Sequence, residues 1–295
     1  MATIVGFVSE KGGVGKTTAC YHIAVALARF HQKRVLVVDT DYQRGGISCR
    51  FLPELLEDFK KGKVAGETMF DQFQLLYSGR DPTGTVDLLD TREPSVRLMP
   101  ADPRLAQVTV EKMPSSNNIR ENNRRLLAHL SVIKNTLALI VDNFDYVLID
   151  SHPELSDLLR SVAYAADYCV SPVKLDMQST IGVPSAQEAI NEVNDDMTMI
   201  SAALGEPKDY TPTMFAGAIG MMATEWGQML IASQRAQFRR LKMSGGIFDN
   251  YVTEGDGLRK AALERCPVYD VGGANAERQA DQFRKVTEEF LTKCP

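Results

Sequence analysis

No run of consecutive apolar residues in this chain reaches the ~18 that a membrane-spanning helix requires. The apolar stretch Ile4 to Val8 is too short for a secretory signal peptide and lacks its basic flank, so a cytoplasmic location is expected. Cysteine is sparse: Cys20, Cys49, Cys169, Cys266 and Cys294 are five in number, with no CxxC spacing among them. An odd count without that spacing argues against a disulfide framework, a zinc ribbon and a thioredoxin-like redox pair, and leaves ordinary buried or surface thiols. Excess positive charge is missing as well. Lys+Arg number 33 against 38 Asp+Glu, a formal net charge of −5, so any contact with nucleic acid must come from a local patch and not from the whole surface. Internal repeats and low-complexity tracts are also missing. What remains is the composition of a globular protein, 44% hydrophobic and 24% charged over 295 residues, long enough to bury a sizeable core.

Short β-branched runs alternate with longer helical patterns. Ile4 to Val8, Val35 to Val38, Val96 to Met99, Tyr146 to Ile149, Tyr168 to Val170 and Phe215 to Ile219 read as strands. The near-continuous apolar character of the first two and of Tyr146 to Ile149 implies burial on both faces. Thr17 to Arg29, Ile119 to Val141, Glu154 to Tyr164, Ser185 to Leu204, Thr224 to Lys242 and Ala274 to Lys293 read as helices. In the second of these, Ile119, Leu126, Leu127, Leu130, Ile133, Leu137 and Ile140 recur at three- and four-residue steps, one apolar stripe. The alternation predicts an α/β fold, a mostly parallel, doubly wound sheet flanked by helices, with ligands at the carboxyl ends of strands. Residues 51 to 84 break the rhythm with Lys60-Lys61-Gly62-Lys63, Gly66, Gly79, Asp81-Pro82 and Gly84. They read as an inserted, partly helical excursion.

Directly after the first strand comes Ser9-Glu10-Lys11-Gly12-Gly13-Val14-Gly15-Lys16-Thr17-Thr18, and then a helical pattern. The ordinary P-loop has glycine where this chain has Glu10, yet the physical requirements are met. Gly12, Gly13 and Gly15 let successive backbone N–H groups turn inward around an anion, and the helix opening near Lys16 aims its positive dipole end at the same place. Lys16 would reach the β- and γ-phosphates of ATP, and the Thr17 hydroxyl would bind Mg²⁺.

The form KGGxGKT[ST], with the second lysine Lys11 ahead of the glycines, resembles the deviant Walker A of the ParA/MinD family of P-loop ATPases. The resemblance implies that ATP is held by Gly12, Gly13, Val14, Gly15, Lys16, Thr17 and Thr18. It also implies that Lys11 reaches across a homodimer interface to the partner's ATP, charge compensation given in trans. Asp39-Thr40-Asp41-Tyr42-Gln43 is similar to the family's DxDPQ, with Tyr42 in place of proline. By that match Asp41 orients the attacking water and Asp39 sits near the Mg²⁺ shell. Asp150-Ser151-His152-Pro153 resembles the family's Walker B and switch segment, usually DTPP. Asp150 is then the carboxylate that holds Mg²⁺ through the metal's bound waters, while His152, again replacing proline, reads as a polar switch-loop residue. Met99 to Ala106, Ala166 to Val173, Leu258 to Ala262, Pro267 to Tyr269 and Ala276 to Phe290 extend the resemblance along a single 1–295 ATPase domain; only about residues 51 to 95 find no counterpart. The loop around Pro267 is expected to border the base.

Missing features sort the relatives. Nitrogenase iron-protein relatives need paired cysteines, cluster carriers need CxxC, and the related tyrosine kinases carry a C-terminal tyrosine cluster; none is present. The tail Thr287 to Pro295 is acidic and short of apolar area, which leaves the membrane-bound division-site regulators as a weaker alternative. A small-molecule ligase on the same fold stays open. The reading that results is a ParA-type partition or cargo-positioning ATPase, nucleoid-associated when ATP-bound, with a ParB-like activating partner and non-specific DNA as its track. Arg235, Arg239 and Lys242 fall at i, i+4 and i+7 of one helix with Arg240 beside them, a candidate patch for sequence-blind phosphate contacts.

Overall fold

The computed structural model describes residues 2–43, 46–64, 66–80, 86–154, 156–205 and 210–295, without the side chains of 178–180. Asp81, Pro82 and Gly84 of the inserted excursion lie outside the described residues. In chain order the elements begin β1 (Thr3–Phe7), α1 (Lys16–His31), β2 (Val35–Asp39), α2 (Ile47–Phe51), α3 (Leu55–Lys60), α4 (Met69–Tyr77), β3 (Leu89–Asp90) and β4 (Val96–Met99). They continue with α5 (Ile119–Ala138), β5 (Tyr146–Asp150), α6 (Asp157–Ala165), β6 (Tyr168–Lys174), α7 (Met177–Leu204) and β7 (Met214–Ala223). A small hairpin, β8 (Glu225–Trp226) and β9 (Met229–Leu230), precedes α8 (Ala232–Met243), β10 (Ile247–Thr253), α9 (Asp256–Glu264) and α10 (Ala274–Lys293).

Alternation along the strands builds the layers. Val35 and Val37 of β2 and Leu148 of β5 face a cluster with Ile23 and Leu27 of α1 and Phe283, Val286 and Phe290 of α10. Their neighbours Leu36, Val38, Val147 and Ile149 face the other way, onto Phe70 and Phe73 of α4, Ile133 and Leu137 of α5, and Val162 of α6. A period of two along strands apolar on both faces therefore makes a three-layer α/β structure. The sheet order is β10-β7-β6-β1-β5-β2-β4-β3, parallel throughout except for β3 against β4.

The order fixes where the site lies. β1 is flanked by β5 and β6, so the chain winds outward from it in both directions, and the carboxyl end of β1 is a topological switch point. Register brings three chain segments to that edge, with Phe7 beside Asp150 and Asp150 beside Asp39.

Two sequence expectations differ from the structure, and one strand was not expected. Thr224 to Lys242 is not one helix: Glu225 pairs with Leu230 and Trp226 with Met229 in a hairpin, and α8 starts only at Ala232. The turn residues Gly227 and Gln228 have φ of +57° and +65°, the left-handed pair that a two-residue hairpin requires. The helix expected from Ser185 begins at Met177 and runs through Pro184. Val183, 3% exposed, extends the apolar stripe that continues through Ala186, Ile190 and Val193, and this burial outweighs the single hydrogen bond that proline removes. β10, with its DN interruption, was not legible as a strand; it is one because it pairs with β7 and its Phe248 and Val252 are buried. Within the stretch of about 51 to 95 that finds no counterpart in the family, the structure places α3, α4 and the antiparallel edge strand β3.

Candidate phosphate site

The glycine-rich turn leaves the switch point with Gly13 at φ +74° and Gly15 at φ +92°, conformations that cost glycine little and other residues much. At Gly15 space adds to the requirement, because a Cβ there would stand 3.2 Å from Met221 of β7. The turn opens straight into α1, whose first residue is Lys16. Lys11 through Thr18, with Asp41, Gln43, Arg50 and Met222, line a cavity of about 320 Å³. This concave surface of backbone amides at a helix N-terminus is suited to polyphosphate.

Lys16 is buried, and its ammonium is held by the edge of the sheet. Its Nζ donates to Asp150 Oδ1 at 3.1 Å and to the Ser151 carbonyl, and lies 4.0 Å from Asp41 Oδ2. Ser151 is fixed in turn by its hydroxyl, which donates to the Phe7 carbonyl at 2.7 Å. Lys11 is exposed at the lip of the cavity. Thr17 is half-buried beside it, and the Thr18 hydroxyl accepts from Arg50 at 3.0 Å.

The carboxylates divide their tasks. Asp39 is fully buried, and burial first, with the Asp150 charge second, pushes its carboxyl well above the usual range. Its Oδ1 accepts the Asp41 N–H at 3.0 Å, while Oδ2 accepts the Ser48 N–H at 2.9 Å and the Ser48 hydroxyl at 2.6 Å. Asp39, expected near the Mg²⁺ shell, therefore spends both oxygens on pinning the loop that carries Asp41. Gly46 serves the same pin, since a Cβ there would come within 3.1 Å of Asp39 Oδ2. Asp150 Oδ2, by contrast, is buried with no hydrogen-bond partner among the described residues. An unmatched carboxylate oxygen is costly unless something positive or a water fills the place.

No group of three or more His, Cys, Asp or Glu able to hold a metal by itself occurs among the described residues. Mg²⁺ does not need one, because it keeps several waters and takes phosphate oxygens with one or two protein ligands. Thr17 and Asp150 fit that requirement; Asp39 fits it less well.

Sequence reasoning missed Arg50. It comes from α2, within the segment after Asp41, and its guanidinium bonds Thr18 while lying 5.9 Å from the Tyr21 ring. Burial lowers its pKa, and no carboxylate bridges it among the described residues. A cation set in a cavity wall without an anion of its own suits a phosphate-bearing ligand, and no spacing in the sequence could have announced it. Pro267 is not brought to the cavity: it is buried behind α1, where the neighbouring Val268 N–H donates to His22 Nε2 at 3.1 Å. Because that nitrogen accepts, the proton sits on Nδ1 and goes to the Thr18 carbonyl at 2.8 Å.

The basic residues of α8 are arranged less tightly than their spacing implied. Arg239 and Arg240 are exposed, Arg235 is half-buried, and Lys242 is ion-paired with Asp249 of β10. No ion pair engages Arg235, Arg239 or Arg240 among the described residues.

Comparison with known proteins places the fold and the sequence among P-loop ATPases of one kind. The chain and an uncharacterised protein of Pseudomonas putida are 29% identical over 69% of this chain and 65% of the other, so the match spans just under two thirds of that relative's length. The chromosome-partitioning ATPase Soj of Thermus thermophilus is 29% identical over 98% of this chain and 95% of its own. The ATP complex of a variant of McdA from Cyanothece superposes with a TM-score of 0.71 at 17% identity, over 98% of this chain and 96% of that one. The family model for an AAA domain matches residues 2–201, more than half of the sequence. With the glycine-rich turn, Lys16 and Asp150 assembled at the switch point of a mostly parallel sheet, the chain belongs to that AAA domain family and, within it, to the ParA/MinD type.

Proposed function

We propose that this protein is a ParA-type ATPase that dimerises around ATP, binds DNA without regard to sequence, and positions a cargo through hydrolysis stimulated by a partner protein. The observation that carries the reading is the buried Lys16, held between Asp150 and Asp41 at the wall of the glycine-rich cavity. In this reading Lys16 leaves its carboxylates for the phosphates, and Arg50 and the loop amides add positive charge around them. Mg²⁺ supplies charge neutralisation on the phosphates, with Thr17 and Asp150 holding it. Asp41 orients the attacking water. Lys11, exposed at the lip, meets the nucleotide of a second copy in this reading. Among the described residues no side chain lining the cavity is a strong general base, which favours slow basal turnover that waits for a partner.

Arg235, Arg239 and Arg240 supply the DNA surface, with Lys242 contributing less because Asp249 holds it. A membrane surface is the weaker alternative: the apolar residues of α10, Phe283, Val286 and Phe290, are buried in the core and leave that helix no face for lipid.

The test is co-sedimentation of the purified protein with arbitrary duplex DNA. ATP should promote it and ADP should not, with steep weakening as salt rises. Binding that ignores the nucleotide, or ATP-dependent binding to vesicles in its place, would overturn the DNA assignment. Turnover only with a small-molecule acceptor would select a ligase.

A further inference from the structure

Two residues that depart from the family motifs, Tyr42 after β2 and His152 after β5, lie against each other. Their rings stack with centroids 3.8 Å apart and planes inclined by 25°. His152 is 3% exposed, and its Nδ1 stands 2.8 Å from Asp41 Oδ1. A carboxylate can only accept, so Nδ1 carries the proton and donates it. On the far side of the imidazole, Nε2 is 3.6 Å from Glu154 Oε1, and the Tyr42 hydroxyl donates to Glu154 Oε2 at 3.1 Å. Asp41, His152, Glu154 and Tyr42 thus close a ring of side chains that ties the loop after β2 to the loop after β5.

The ring has a consequence for Asp41. Its Oδ1 takes both the His152 donor and the Gln43 N–H, the latter at 2.9 Å. Oδ2 is left as the oxygen nearest Lys16 Nζ, at 4.0 Å, on the cavity side. Prolines at positions 42 and 152 would stiffen the two loops through fixed φ angles. This chain has neither proline, and an exchange of Asp41's two oxygens is opposed instead by a donor, a stacked ring and a second carboxylate.

We infer that Tyr42 and His152 are positioning residues for ATP hydrolysis: they turn Asp41 Oδ1 away from the nucleotide and present Oδ2 to the attacking water. The inference rests on the role proposed above for Asp41. It extends to two residues whose chemistry, taken singly, suggested nothing catalytic.

The experiment uses the full chain and measures ATP affinity separately from the single-turnover hydrolysis rate. His152→Ala and His152→Gln lower the rate about 10- to 100-fold, the scale set by misplacing a reacting group, while ATP affinity stays within about twofold because the groups gripping phosphate are untouched. His152→Asn, whose amide N–H occupies the place of Nδ1, recovers most of the rate; His152→Gln, whose amide reaches toward Nε2, does not. Tyr42→Leu loses rate like His152→Ala, and the double variant is no slower than the slower single one, as expected for one unit.

A readout without turnover comes from imidazole ¹⁵N NMR of the nucleotide-free protein, which has four histidines. The signal that vanishes in His152→Asn should report a protonated Nδ1 and move in Asp41→Ala. Wild-type rate in His152→Ala overturns the inference. So do parallel losses of rate and ATP affinity in every variant including Asn, or an Nε2-protonated signal indifferent to Asp41→Ala. Asp41→Ala, run alongside, separates the two readings. If it hydrolyses normally, the role of Asp41 falls and the inference with it. If it is inactive while His152→Ala is not, only the ring's role falls.

Discussion

The phosphate cavity and helix α8 both present clustered cations, yet they are held in opposite ways. At the cavity, Lys16 is 6% exposed and reaches carboxylates contributed by β5 and by the loop after β2. On α8, Arg239 and Arg240 stand in solvent with no partner among the described residues, and the one paired cation, Lys242, is tied to Asp249 across a short turn. Burial makes the first region sensitive to the loss of a single atom, because each charge there has been taken out of water and depends on its partner. Exposure makes the second tolerant, since an unpaired surface arginine is already satisfied by water and its contribution to a ligand is additive and screened by salt. One region is thus specified by interlocking contacts and the other only by the sign of its charge.

Breaking that contrast should be easiest at Lys16. Lys16→Ala removes the cation and leaves Asp150 buried beside Asp41, so a loss of ATP affinity of about a thousandfold is expected, roughly 4 kcal/mol. Isothermal titration with a slowly hydrolysed ATP analogue measures it, and near wild-type affinity would show that the cavity does not hold the phosphates. Asp41→Ala comes next. It should slow hydrolysis about a hundredfold or more while leaving the phosphate grip intact, so that the ATP-bound form accumulates and stays longer on DNA than wild type does. Off-rates from immobilised duplex check this, and release as fast as wild type with ATP still bound would mean that hydrolysis is not what resets the protein.

The surface region is probed by Arg239→Glu combined with Arg240→Glu. DNA affinity at moderate salt should fall about tenfold or more for every sequence, and the slope of log affinity against log salt should flatten by about 2. Lys242→Ala, already paired, should change affinity only about twofold. Equal effects from the two would erase the distinction between free and engaged cations on α8.

A pH effect sharpens the comparison from behind the cavity. Burial lowers the His22 imidazole to about 3 and that of His129 to about 4. Both lie below the unfolded value of about 6.5, so below that pH the unfolded chain binds protons that the folded chain refuses. Stability from these groups is therefore complete above about pH 6.5 and declines as the pH falls toward 4 and then 3, by about 1–2 kcal/mol per histidine between pH 6.5 and 5. His22 joins the Thr18 carbonyl to the Val268 N–H. Hydrogen exchange at pH 5 should accordingly accelerate at the start of α1 before it does in α8, and uniform loss of protection would count against this order.

How much of this was legible depended on whether local chemistry or distant contact set the outcome. The glycine turn announced itself because positive φ at Gly13 and Gly15 is a property of single residues, and the strand before it and the helix after it follow from short-range periodicity. Strand β10 escaped notice because Asp249 and Asn250 interrupt its pattern, and it is a strand only through pairing with β7. The hairpin β8–β9 was read as helix because Glu225, Trp226, Met229 and Leu230 fit either period over so short a stretch, and the Gly227-Gln228 turn decides it. Arg50 carried no signal, since its value lies in where α2 lands against α1.

The sequence by itself determined the phosphate loop, the alternation that makes an α/β sheet and the absence of a membrane-spanning helix among the described residues. These depend on residue type and near-neighbour spacing, which need no partner from elsewhere in the chain. Only the tertiary structure decided that Asp39 pins a loop, that Asp150 keeps an oxygen in reserve, and that His152 and Tyr42 close on Asp41. The contacts of Asp39 with Asp41 and Ser48 depend on how the loop folds back on itself, and the closing of His152 and Tyr42 on Asp41 joins segments far apart in sequence. Distances between such segments are set by strand order and register, which no short window of residues contains.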